Sequence, residues 1–549
     1  MTNLDWLIVI FINGAIILWG LALARGTQRS VDWFLAAKGL PWWIVGLSMF
    51  ATAVDSGDYV AVVGGAYNYG LGNLTTWWIG LPVGWFLVAY FVLIPLYRSG
   101  MFTNAEYLEY RFGPTARILS AFIQIQYRTN VLANISYSLY LTFKLLTGWD
   151  GVSTWSLVVG LALGAALYTA SGGLKSVAVT DAIQSVVMLV AAVVLWVVVW
   201  NSVGGWSGLE GKLASINPQL VDELLHVGGQ NSENVPAALM VFSWIVILSA
   251  YVVVNHSQSM RMLAARSLVH LRWAALAASV ITAGVMWFNI SLGILGRGVM
   301  PNLETPDEIF PRLVLEYLGP GLIGLVVAGV LAGGISTYDS IGSALAAVFT
   351  RDIYARFFVR NRADRHYLQV SRIATVVVIA ISFAYIPFFG EGMVAFYIRL
   401  TNVAVTPLFT IYLVGTLTRV HRGSGTFALL IGMAYGLVAF LGWENEWDLP
   451  VWLIHPRWAY LWSLLTTSAT MIGYSLLVGW EAKGAFDGTM TDESTPADTW
   501  LETTRREAAT MVSSEDFFAV ERRPWYLSAW FWTCVFLLAI VTINLVVLW

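Results

Sequence analysis

Cysteine is almost missing from this sequence: one residue, Cys534, in 549. A single thiol excludes an intrachain disulfide framework and a cysteine-based metal site. Charge is scarce as well. Lys, Arg, Asp and Glu make up 11% of the chain, where a soluble domain carries about 25%. The net charge of -3, with no concentrated basic patch, leaves no electrostatic footprint for nucleic acid. The polar loops contain no Walker loop, HExxH, GxSxG or paired metal motif, which argues against an enzyme. What is abundant is apolar. The chain is 58% hydrophobic and 14% aromatic, with mean hydropathy +0.69. The length would suit several soluble domains, but this composition points to one polytopic membrane protein in a lipid bilayer.

A helix needs about 20 apolar residues to cross a bilayer. Window reading gives about 14 spans, near 5–24, 42–65, 73–97, 118–147, 154–170, 177–200, 237–257, 271–296, 319–350, 370–389, 393–417, 425–443, 458–480 and 526–548. The first run lacks a basic residue before it and has Arg25 and Arg29 after it, so it reads as an uncleaved span with its N-terminus outside. On that topology 23 Lys and Arg residues fall inside, Arg261 among them, and 4 outside. This is a strong positive-inside bias, and it puts both termini outside a cell (inner) membrane. Arg128, Lys144 and Arg399 remain within spans. Lys144 lies near a span end and can snorkel. The segment 481–525 is polar and of mixed charge, and reads as a flexible or partly helical cytoplasmic linker.

Polar residues collect at three places inside the apolar runs. In AGGISTYDSIGSALAAVFTRDIY (332–354), Ser336, Ser340 and Ser343 share one helical face, with Asp339 beside them and Thr337 one step round. Hydroxyls alone would serve as helix–helix glue. A carboxylate in the membrane needs a cation, a proton or a partner. In SMFATAVDSGDYVAVVGG, the run Asp55-Ser56-Gly57-Asp58 interrupts an apolar helix. Asp and Gly are poor helix formers, and an unwound turn there frees carbonyls to coordinate an ion. In SGGLKSVAVTDAIQSVVMLV (171–190), Asp181 and Gln184 enter a span just after an inside loop. Asp181 suits either a helix N-terminus or a buried site.

These segments carry a resemblance. SGGLKSVAVTDAIQ looks like the signature of the sodium:solute symporter family, and ISTYDSIGSALAAVFTRDIY resembles that family's eighth core helix. FATAVDSGDYV resembles its broken first core helix. YVVVNHSQSMRMLAARS is similar, more loosely, to the sixth, and FYIRLTNVAVTPLFTIYLVGTL to the tenth. The resemblance covers nearly the whole chain.

It implies an all-α fold with a leucine-transporter-like 5+5 inverted-repeat core at 41–418. Around it stand an extra helix and loop at 1–40, two further helices at 419–480, the linker, and a last helix at 526–549. It implies sodium-coupled symport of a small organic solute by alternating access, with no obligate protein partner evident. The sodium ligands it implies are the carbonyls of Ala51, Val54 and Gly333 and the hydroxyls of Ser336 and Thr337. Gly333 stands where the family often has Ala, but only its carbonyl is needed. Asp181 and Ser340 match a second cation site of some members; Asp339 falls where those members carry a hydroxyl, and a carboxylate there leaves proton coupling open.

For the solute, the resemblance implicates Asp55, Asp58, Trp77, Tyr251 and Arg399, with Trp78 beside Trp77 and with Asn255 and His256 as candidate gate residues. Two readings compete. In one, Arg399 pairs with Asp55 or Asp58 and the neutral pocket takes a sugar or polyol. In the other, Arg399 grips a carboxylate of an amino acid, betaine-like solute or sugar acid. Arg128 is a further candidate for that grip. A transporter-like sensor or channel is the rival class.

Overall fold

The computed structural model describes residues 1–24, 29–229, 235–388, 393–482, 499–512 and 524–549, with only the backbone given at 388 and 393–400. The described chain is helical. Its one β feature is an isolated parallel bridge between Leu40 and Ala265. Apart from shorter connecting helices, the helices are α1 (Asn3–Ala24), α2 (Trp42–Ala53), α3 (Thr76–Arg98), α4 (Pro114–Thr147), α5 (Gly151–Val203), α6 (Ala237–Val254), α7 (His256–Leu263) and α8 (Leu268–Val299). They continue with α9 (Leu322–Phe358), α10 (Asp364–Pro387), α11 (Met393–Leu417), α12 (Ser424–Glu444), α13 (Pro456–Val478), α14 (Trp500–Thr510) and α15 (Ala529–Val547).

Ten of these are long and apolar enough to cross a membrane. The expected fourteen segments appear once α5 is counted as two spans, and α4, α11 and the interrupted stretch 42–69 are added. Helix α5 is divided at Gly173, which sits at φ 68, ψ 179. That conformation suits glycine alone, and a Cβ there would lie 2.9 Å from the Trp33 ring. Helix α4 falls short on hydropathy because its buried face is polar, with Gln124, Arg128, Asn130 and Ser136 turned inward. Such residues are tolerated at membrane depth only when they face protein or a cavity.

Helix α9 is almost wholly buried and packs mainly along α5, while α2 lies against α5 and α8. From the linker, α14 forms a docked helix. Trp500 stacks on Tyr367 with centroids 4.0 Å apart and donates Nε1–H to Asp364 Oδ1 at 2.7 Å. Arg351 Nη1 donates to Thr504 Oγ1 at 3.0 Å.

Candidate functional site

Two stretches among the described residues stop as helix and restart, each restart capped by a side chain at its own N-terminus. Helix α2 ends at Val54, whose φ -113, ψ 117 is extended. Asp55 then accepts from Gly57 N–H through Oδ1 at 2.7 Å, and Asp58 Oδ2 reaches back to Asp55 N–H at 2.7 Å. This reciprocal pair is a capping box. It restarts the helix over 58–69 and leaves one oxygen of each carboxylate for other work. The second break follows α6, where Asn255 Oδ1 accepts from Ser257 N–H at 3.0 Å to cap α7. Asn255 is thus a cap, and His256, buried beside it, donates its backbone N–H to Gln124 Oε1 at 3.1 Å while its ring makes no hydrogen bond.

The first break frees carbonyls. Asp55 N–H would close the helical bond to Ala51 O, but it donates to Asp58 instead. Ala51 O is taken up by Ser336 Oγ of α9 at 2.7 Å, and the same hydroxyl lies 2.9 Å from Gly333 O. At Gly333 a Cβ would lie 3.3 Å from the Asp55 carbonyl carbon and from Ser56 N, so the missing side chain lets α9 approach the break. Thr337 Oγ1 is buried next door with no hydrogen-bond partner. A buried hydroxyl left unpaired costs about 1–3 kcal/mol. Neutral carbonyl and hydroxyl oxygens of this kind suit a hard cation.

One turn along, Asp181 and Ser340 also meet, but around an arginine. Arg261 is fully buried in α7 and donates Nη2–H to Asp181 Oδ2 at 2.9 Å, Nε–H to Ser48 Oγ at 2.7 Å, and a short bond to Ser340 Oγ. Ser48 in turn donates to Asp181 Oδ2 at 2.6 Å. The sequence reading placed Arg261 in an inside loop. The structure puts it inside the protein as the counter-charge of Asp181. Asp339 points elsewhere, with Oδ1 accepting a short bond from Thr169 Oγ1 and Oδ2 buried without a partner.

Beside the first break lies a cavity of about 130 Å³. Asp55, Asp58, Asn73, Thr76, Trp77, Asn134, Trp244 and Tyr251 form its polar and aromatic lining, and apolar side chains such as Val62, Ile247 and Leu248 complete it. Tyr251 fixes its hydroxyl on Thr52 O, another carbonyl freed by the break, at 3.3 Å. Trp78 does not share the cavity as the sequence reading expected. Its Nε1–H donates to Ala283 O at 2.9 Å and its ring lies against Trp287. The turn of the helix carries Trp78 round toward α8 while Trp77 stays on the cavity side. The Arg399 side chain lies outside the described residues. A different cation is near: Arg128, 1% exposed, stands 5.1 Å from the Tyr251 ring centroid with none of its three guanidinium nitrogens hydrogen-bonded.

The model of the family described as "Sodium:solute symporter family" matches residues 33–432. The chain belongs to that family. It is therefore a multi-pass membrane symporter, a secondary active transporter that couples a small solute to sodium, and not an enzyme. Among its relatives, the symporter is 29% identical over 475 residues to the sodium/mannose cotransporter SLC5A10 of Bos taurus, covering 77% of this chain and 76% of that one. It is 27% identical over 458 residues to sodium/glucose cotransporter 4 of Danio rerio, covering 76% and 68%. Its fold matches the substrate-bound outward-open state of a Na+-coupled sialic acid symporter with TM-score 0.75 at 17% identity, over 88% of this chain and 99% of the other. That likeness gives the symporter its leucine-transporter-like fold.

Sequence reasoning missed Asn73, Thr76 and Asn134 in the cavity, and it missed Arg261. The cavity residues carry no motif that marks them. Arg261 had a signal, since Asp181 required a counter-charge and the segment containing Arg261 resembles the broken sixth helix.

Proposed function

We propose that the coupling sodium ion is held where α2 meets α9, by the carbonyls of Ala51, Val54 and Gly333 and the hydroxyls of Ser336 and Thr337. The observation that carries this reading is the convergence of a freed carbonyl, Ala51 O, on Ser336 beside the unpartnered Thr337 hydroxyl. The solute occupies the adjacent cavity, in contact with Asp55, Asp58, Trp77 and Tyr251. Sodium bridges the interrupted helix to α9 and completes the cavity wall. Solute binding then permits closure, and opening to the other side separates α2 from α9 and releases both. The coupling is reciprocal: what sodium adds to solute affinity, solute adds to sodium affinity.

The solute is a sugar or polyol. Carboxylate oxygens, amides and a hydroxyl supply partners for several hydroxyl groups, and Trp77 and Tyr251 supply apolar faces for a ring. The relatives named for mannose and glucose support the same class. A carboxylate-bearing solute is the second reading, favoured by the unpartnered guanidinium of Arg128. Uptake into proteoliposomes under an inward sodium gradient separates the two. Labelled glucose, mannose and myo-inositol should accumulate. Accumulation of sugar acids or amino acids alone would establish the second reading, and uptake driven by a pH gradient without sodium would move the coupling ion to a proton, with Asp339 as its carrier.

One sodium ion moves per cycle, because Asp181 and Ser340 already hold the Arg261 cation. Sodium activation of uptake should follow a Hill coefficient near one. A coefficient near two would mean that Arg261 leaves and a second ion takes its place. The charge bias supports both termini outside the cell membrane. Lys212→Cys in a Cys534→Ser background should react with an impermeant maleimide in intact cells, and protection until lysis would reverse the orientation.

A further inference from the structure

The last helix looks at first like a passenger. Most of α15 faces away from the protein, and its buried residues Ala529, Thr533, Ile540 and Asn544 form a single stripe. Asn544 is the exception in chemistry, an amide with 0% exposure on a helix otherwise made for lipid. Its Oδ1 accepts from Thr75 Oγ1 at 2.8 Å, while its Nδ2 has no hydrogen-bond partner. Thr75 is itself fully buried, and the next two residues, Thr76 and Trp77, line the cavity. Two bonds tie the last helix to the start and body of α3: Thr75 to Asn544, and Tyr90 to Thr533 with oxygens 3.2 Å apart. Beyond the end of α15, Leu548 O accepts from Val227 N–H at 2.7 Å.

We infer that Asn544 is a positioning residue for the solute site: by holding Thr75, it fixes the rotation of the first turn of α3 and so aims Thr76 and Trp77 into the cavity. The inference rests on the reading that the cavity holds the solute. A buried amide on a lipid-facing helix is costly unless it is bonded, and the unpaired Nδ2 leaves the Thr75 bond as the contact that sets the side chain. Adjacent helical positions differ by about 100° in direction, so a modest rotation of this turn moves the Trp77 ring out of register with a bound solute. Because Asn544 touches no solute, its effect falls on solute affinity and not on the sodium site.

The test is uptake by Asn544→Leu, Thr75→Val, the double variant and Trp77→Ala. It is measured with radiolabelled glucose or mannose, whichever accumulates faster, alongside 22Na+ binding without solute. Asn544→Leu and Thr75→Val should each raise solute KM about tenfold, leave maximal rate per folded molecule and 22Na+ affinity unchanged, and be non-additive in the double variant, as expected for residues acting through one bond. The exchanged pair Thr75→Asn with Asn544→Thr should restore KM. A KM unchanged in Asn544→Leu and Thr75→Val, beside a raised KM in Trp77→Ala, overturns the inference alone. A KM unchanged in all of them overturns the cavity reading beneath it as well. A loss confined to the amount of folded protein would make the bond structural only.

Discussion

Thr337→Ala should raise the sodium concentration for half-maximal uptake by about ten- to one-hundredfold, at unchanged expression. The estimate follows from a polar interaction with a charged group, worth about 1.5–3 kcal/mol. Thr337 Oγ1 has no other partner to lose, so its removal costs the ion-free protein little and the ion-bound protein much. Thr337→Ser keeps the oxygen and should restore sodium dependence, whereas Thr337→Val keeps the shape and should not. Ser336→Ala should give a similar shift with an additional fall in stability. Its hydroxyl also satisfies Ala51 O in the ion-free state, and an unpaired buried carbonyl costs about 1–3 kcal/mol. Sodium-dependent uptake that survives both alanine variants unchanged would refute the ligand assignment.

Neutralising the carboxylates at the break should have the second large effect. Asp55→Asn and Asp58→Asn keep an oxygen able to accept from Gly57 N–H and Asp55 N–H, so the cap survives. Each should raise solute KM at least about tenfold, the loss of one charge-assisted hydrogen bond. Asp55→Ala and Asp58→Ala remove the cap as well and should lower stability by a further 0.5–2 kcal/mol or thereabouts, the usual cost of a lost N-cap. Thermal unfolding separates the two contributions. If the asparagine variants transport with unchanged KM, the carboxylates serve only to restart the helix.

Much of this arrangement was legible in the sequence, because membrane helices advertise themselves. Apolar length marked the spans, and Asp55-Ser56-Gly57-Asp58 marked the break because the apolar length on both sides argues against a short polar connection at a surface. Helical spacing put Ser336 and Ser340 on one face. What spacing withholds is the partner across the interface. Asp55 and Asp58 read as ligands, yet each gives one oxygen to a cap, a local bond that a list of charges does not reveal. Arg261 read as a loop cation because only the fold brings it to Asp181, 80 positions away. Trp78 read like Trp77 until the helix turned one of them toward Ala283. Asn544 carried no signal beyond being an amide among apolar residues, and Thr75 lies 469 positions from it.

The most direct test of the sodium site is equilibrium binding of 22Na+ to the purified protein in detergent, with and without solute. The account predicts saturable binding of one ion, strengthened by solute and abolished in the Ser336→Ala/Thr337→Ala double variant, while Asp181→Asn with Arg261 in place still binds that ion. Binding that persists undiminished in the double variant would mean that sodium sits elsewhere and that the meeting of the broken helix with α9 is structural packing.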